Sequence, residues 1–80
     1  MKKILVTGGC GYIGGHTIVD LIDNGFEVIS VDDLSKGSMR MLHGIEKIVR
    51  KSVKNYKVNL CNLEDTQAIF IENPDIVGII

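Results

Sequence analysis

Apolar positions along this chain fall in short runs whose spacing keeps changing. Ile4, Leu5 and Val6 are contiguous, which predicts a buried strand. Ile13, Thr17, Ile18, Leu21 and Ile22 then recur every three or four residues, which predicts a helix. Asn24-Gly25 ends that helix, with one of the two in a left-handed cap. A second strand follows from Val28 to Val31, then a loop at Leu34-Ser35-Lys36-Gly37. Met41, Leu42, Ile45, Ile48 and Val49 mark a second helix, and residues 51–55 a polar connection. Tyr56, Val58 and Leu60 alternate as a third strand. Asn62 reads as an N-cap with Asp65 three residues on, a near capping box. The third helix runs to about Glu72, because Pro74 disfavours helix at Asn73. Ile76 to Ile80 is a fourth, fully apolar strand.

The order is βαβαβαβ, which implies an α/β fold with a parallel sheet. Right-handed crossovers place strands one, two and three side by side with their helices on one face. The third helix must return on the other face to set strand four beside strand one. The predicted strand order is 3-2-1-4, with a switch point between strands one and four. Strand four is then an open apolar edge, and the sheet face beside the third helix is half bare. Residues 1–80 therefore read as one incomplete unit, the first half of a doubly wound domain. The chain on its own is expected to be partly unfolded or to associate through the fourth strand.

The chemistry lies where the first strand stops. The glycines fall as Gly8-x-x-Gly11-x-x-Gly14 between a strand and a helix, and the next strand ends in Asp32. That layout is a dinucleotide-binding, Rossmann-type βαβ unit. Gly8 allows the sharp turn off the strand. Gly11 removes a side chain where backbone approaches a pyrophosphate, and Gly14 lets the helix pack closely on the sheet. The helix N-terminus supplies amides and a positive dipole end to the phosphates. No Gly-Lys-Ser/Thr follows, so this is not a Walker loop. Asp32 can accept hydrogen bonds from the adenosine ribose and repels a 2′-phosphate, which favours NAD over NADP. Asp33 adds repulsion, although it reads first as a solvated strand end; Lys36 and Arg40 argue the other way.

Composition narrows the class. Hydrophobic residues make up 45% and charged residues 24%, with a formal net charge of −1. That is a globular balance, with no sign of a nucleic-acid or membrane partner. Lys47, Arg50, Lys51, Lys54 and Lys57 are a local basic run, interleaved only by Tyr56, and read as a solvated face. The apolar run after Met1-Lys2-Lys3 is too short for a signal sequence, and no segment approaches a membrane span. Cys10 and Cys61 form no metal or redox pattern, which implies a reducing, cytoplasmic setting. Cys10 sits near a helix N-terminus, which can lower a thiol pKa; it reads first as a small filler.

Thr7-Gly8-Gly9-Cys10-Gly11-Tyr12-Ile13-Gly14-Gly15-His16 resembles the N-terminal fingerprint of the extended short-chain dehydrogenase/reductases. Val31-Asp32-Asp33-Leu34-Ser35-Lys36-Gly37 and Asn73-Pro74-Asp75-Ile76-Val77 extend the resemblance toward its nucleotide-sugar epimerases. The resemblance implies NAD as cofactor, with backbone at Tyr12 and Ile13 meeting the pyrophosphate. It implies that Asp32 holds the adenosine ribose and that Asp33, Leu34, Ser35, Lys36 and Gly37 wrap it. An Asp-apolar pair flanks adenine in the family; here it reads Asn59-Leu60, whose amide oxygen can accept from the adenine amino group. Gly15 stands where the family usually has serine, and His16 matches a histidine that reads as structural. The implied parent is a homodimer acting on a UDP-sugar, interconverting UDP-glucose and UDP-galactose. Family catalysis uses a Tyr-x-x-x-Lys pair, and neither Tyr12 nor Tyr56 has a lysine four residues on. These eighty residues are therefore expected to be inactive alone. Two other classes stay open: a non-catalytic NAD or adenine-nucleotide module, and a truncated product of a sister enzyme such as a sugar-nucleotide dehydratase.

Overall fold

The computed structural model of the chain describes residues 2–80. Seven elements follow in order: β1 (Lys3–Thr7), α1 (Tyr12–Asp23), β2 (Glu27–Val31), α2 (Met39–Val49), β3 (Asn55–Tyr56), α3 (Leu63–Glu72) and β4 (Ile76–Ile79). The four strands are all parallel, in the order β3-β2-β1-β4. The expected 3-2-1-4 arrangement is what forms.

Alternation along the two central strands divides the core. Ile4, Val6 and Val28 face α1 and α2, where they meet Ile18 and Leu42. Leu5, Ile29 and Val31 face the other way and meet Ile69 of α3. Both faces of β1 and β2 are therefore apolar, which is why their sequences read as continuous runs. Leu5, Ile18, Leu42 and Ile69 are fully buried. Each such side chain contributes about 1.5–3 kcal/mol by leaving water.

Local chemistry sets the element ends. Gly25, at φ +84°, takes the left-handed position that closes α1, and Asn24 is the C-cap. The Asn62 side chain accepts from the Asp65 amide at 3.1 Å. The reciprocal half of a capping box is absent: the Asn62 amide donates to the Asn59 carbonyl at 2.8 Å. The second helix starts at Met39, two residues before the apolar pattern begins, because the Ser38 hydroxyl accepts from the Met41 amide at 3.3 Å.

Three expectations need correction. The third strand is two residues long, not five. The Val58 amide turns back to the Tyr56 carbonyl at 2.9 Å, which takes the chain out of the ladder. Val58 still packs on the α3 side, whereas Leu60 is exposed. Ile13 and Ile48 fit the helical spacing but are 80% and 69% exposed, so neither is core. Within the polar connection, Val53 is buried and its amide donates to Glu46 Oε2 at 2.7 Å, which anchors the run into β3.

Asn73 ties the lower end of the sheet together. Its amide nitrogen donates to the Tyr56 hydroxyl at 3.0 Å and the Ile69 carbonyl at 2.8 Å, and its oxygen accepts from Lys3 Nζ at 3.2 Å. Lys3 also pairs with Asp75 at 3.0 Å, joining β1 to the entry of β4. Lys3 holds the Asp75 carboxyl below the usual carboxylate range. The stability from this shift is present above the unfolded pKa, near 4, and is lost as pH falls through the lowered folded value. Asp75→Asn is expected to lower Tm slightly at neutral pH and to converge with the parent chain in acid. Thermal melts across pH 2–7 check this, and parallel curves would refute it.

β4 lies at the sheet edge, with Val77 and Ile79 61% and 59% exposed. An apolar edge with free backbone groups recruits further strands. We expect the eighty-residue chain alone to sediment with concentration-dependent mass, and Val77→Lys to reduce that dependence. A monomer at every concentration would show that the edge is inert.

Candidate nucleotide-binding site

The C-terminal ends of β1 and β2 open onto the glycine turn. Gly8 has φ +67°, a region that strongly favours glycine, and its amide donates to the Val31 carbonyl at 2.8 Å. The Gly11 amide returns to the Gly8 carbonyl at 3.1 Å, and Gly11 becomes the N-cap of α1. A Cβ on Gly14 would overlap the Gly8 carbonyl oxygen and sit 2.7 Å from its carbon. The predicted role of Gly14, close helix–strand packing, is thus a hard steric limit.

The first turn of α1 has neither a side-chain cap nor an acidic residue. The amides of Tyr12, Ile13 and Gly14 have no acceptor among the described residues. By contrast α2 and α3 are both capped by side chains. The open end of α1 therefore presents unfilled donors and its positive dipole end to whatever sits above the turn. Tyr12 and Ile13 are exposed there, 72% and 80%.

Asp32 occupies the tip of β2 and is half-buried. Its Oδ2 accepts from the Cys10 amide at 3.1 Å and its Oδ1 from the Leu34 amide at 2.8 Å. Each carboxylate oxygen retains a further lone pair. Asn55 donates to the Asp32 carbonyl at 3.2 Å and so braces the strand end. Beside Asp32 lies a cleft of about 180 Å³ lined by Gly8, Val31, Asp33, Val58, Asn59 and Leu60. A larger cleft, about 510 Å³, is lined by Phe26, Glu27, Lys51 and Lys54 at the other end of the strands. It touches no residue of the glycine turn.

The remaining predicted positions divide. The Asp33 carboxylate accepts from the Ser35 amide at 3.0 Å, and this bond holds its carboxyl below the usual range. Asp33, Ser35 and Lys36 are exposed, whereas Leu34 and Gly37 are half-buried. Leu34 takes φ +66° and packs toward the α1–α2 core. Asn59 Oδ1 accepts from the Cys61 amide at 2.9 Å, so one of its lone pairs is committed to the loop rather than to a base. His16, read as structural, is exposed, and its ring meets Tyr12 edge-on at 4.7 Å. Cys10 is fully buried; burial first, then the Asp32 carboxylate, push its thiol pKa up, although the Ser30 hydroxyl acts the other way. Full burial fits the reading of Cys10 as a small filler. Gly15 is buried, and a Cβ there would press Ile45 Cδ1 at 3.2 Å, which explains a small residue at that α1–α2 contact.

Two supporting positions escaped the sequence reading. A Cβ on Gly9 would collide with the side chain of Ser30. Ser30, fully buried, donates to Asn55 Oδ1 at 2.8 Å. The signal was there: one hydroxyl inside the apolar run Val28-Ile29-Ser30-Val31. The described residues hold no group of three His, Cys, Asp or Glu suited to a metal, and none of their helices is long and apolar enough to cross a membrane.

Comparison with known proteins agrees with this geometry. The sequence model of the NAD dependent epimerase/dehydratase family matches residues 4–80. The chain is 41% identical to the UDP-glucose 4-epimerase of Bacillus subtilis over 70 residues, 88% of this chain and 21% of that protein. It is 48% identical over 69 residues to the bifunctional protein gal10 of Schizosaccharomyces pombe, covering 86% of this chain and 10% of that one. The UDP-glucose 4-epimerase of Bifidobacterium longum, solved with NAD+ and UDP, superposes at TM-score 0.92 with 36% identity, over 98% of this chain and 23% of that one. The chain belongs to the NAD dependent epimerase/dehydratase family. It spans about a fifth of the length of the Bacillus subtilis relative.

Gly14→Ala is expected to destabilise the fold by about 1–3 kcal/mol, because the Gly8 backbone cannot yield to a new methyl group. Gly44→Ala, in α2 with nothing within 4 Å of the added atom, is expected to be neutral or stabilising. Urea unfolding of both variants checks the contrast.

Proposed function

We propose that these eighty residues form the adenosine-side half of the NAD site of a nucleotide-sugar epimerase that interconverts UDP-glucose and UDP-galactose. The observation that carries this reading is Asp32, held by two backbone amides at the mouth of a cleft that also contains Gly8 and Asn59. A carboxylate fixed this way can accept from ribose hydroxyls without first being ordered. The donor-rich, uncapped start of α1 suits a pyrophosphate, with Gly11 removing bulk and Tyr12 and Ile13 offering amides. In this reading Leu34, Ser35, Lys36 and Gly37, which follow Asp32 in the chain, take the ribose side, while Asn59 and Leu60, which line the cleft, take the base side. Asp33 stays charged beside Asp32 and disfavours a 2′-phosphate.

When bound, NAD supplies a hydride acceptor that later returns the hydride. The residues of this chain hold and orient the cofactor. They contain no Tyr-x-x-x-Lys pair to move the substrate proton, and general acid–base groups of that kind contribute roughly 10²–10⁴-fold. The chain alone is therefore proposed to bind NAD without epimerising a UDP-sugar. Its two free thiols suit a reducing cytoplasm, and the whole enzyme is proposed to be a homodimer.

Calorimetric titration tests the reading. NAD is expected to bind more tightly than NADP, and Asp32→Ala to weaken NAD by roughly tenfold or more while narrowing the difference. Equal binding of both cofactors, or no effect of Asp32→Ala, would overturn the assignment. Turnover of UDP-galactose by the eighty-residue chain would overturn the division of labour.

A further inference from the structure

Gly37 is one of the tightest points in the molecule. Its φ is negative, so conformational freedom does not explain the glycine. Space does. A Cβ there would lie 2.7 Å from both the carbonyl carbon and the carbonyl oxygen of Cys10, and 2.8 Å from Asp32 Oδ2. Neither partner can retreat. Cys10 is fully buried, its amide donates to Asp32, and its carbonyl accepts from the Ser38 amide at 3.2 Å. Asp32 is held in turn by the Leu34 amide at 2.8 Å. The loop is thus fastened at its start by Leu34, which stays at φ +66°, and at its end by Ser38.

We infer that Gly37 is a positioning residue that clamps loop 33–37 onto the glycine turn, making the ribose side and the phosphate side of the site one preformed unit. The inference rests on the nucleotide reading above for its purpose, but the clamp itself is a property of the ligand-free chain. Its effect is preorganisation: a ligand meets a loop already in place, and less freedom is lost on binding. A methyl group at this position must lift the loop from the Cys10 backbone. That breaks the Ser38–Cys10 bond and loosens the Asp32–Leu34 bond, while the sheet beneath is untouched.

Native-state amide exchange and NAD titration on the parent chain, Gly37→Ala and Gly44→Ala test this. In the ligand-free parent, the Leu34 and Ser38 amides are expected to exchange more slowly than that of Lys36. Gly37→Ala should bring them to the Lys36 rate, keep the β1–β2 amides protected, and raise the NAD Kd by about tenfold. Gly44→Ala should change neither readout. Retained protection of Leu34 and Ser38 in Gly37→Ala, or no protection in the parent, would overturn the clamp. If Gly37→Ala does not fold, the parent pattern alone decides. If the parent fails to bind NAD, the nucleotide reading falls, and the exchange pattern still decides the clamp.

Discussion

The start of α1 rests directly on the turn that leaves β1. Gly14 lies so close to the Gly8 carbonyl that no side chain fits between them. This contact aims the helix N-terminus at the crevice and brings its first amides above the strand ends. It also requires Gly8 to adopt a left-handed conformation, which carries the chain from strand to helix in four residues.

Around that contact, the sheet supplies rigidity at both ends by different means. At the lower end, Asn73 links α3, β3 and β1 through side-chain hydrogen bonds, and Lys3 adds an ion pair to Asp75. At the upper end, the carboxylate of Asp32 joins two loops that never touch in sequence. Between them, apolar packing on both faces of β1 and β2 supplies the burial. Among the described residues every buried side-chain nitrogen or oxygen has a hydrogen-bond partner, so the polar groups help select the geometry.

The Bifidobacterium longum epimerase superposes over 98% of the chain at only 36% identity. The resemblance in sequence marks two departures from the family pattern, at Gly15 and at Asn59. Gly15 answers to Ile45 of α2, and Asn59 answers to the Cys61 amide.

Strand order, helix placement and the glycine–aspartate layout were legible from residue order alone. Periodicity shows which faces are buried, and chain connectivity leaves few right-handed parallel arrangements. Contacts distant in sequence were not legible. The alternation Tyr56, Val58, Leu60 predicts a strand, but the Val58 amide bonds back to Tyr56 and ends the strand early. His16 reads as structural, but its partner, the edge-on ring of Tyr12 at the surface, appears only in the fold. Cys10 lies near a helix N-terminus in sequence, yet burial governs its thiol. Gly37 reads as a loop glycine that the resemblance sets around the ribose, and only the approach of Cys10, twenty-seven positions away, shows why nothing larger fits. Sequence determined the framework because hydrophobic period and turn chemistry act locally. Tertiary structure alone decided which polar atoms were already satisfied and which remained free for a ligand, because that depends on neighbours brought together by folding.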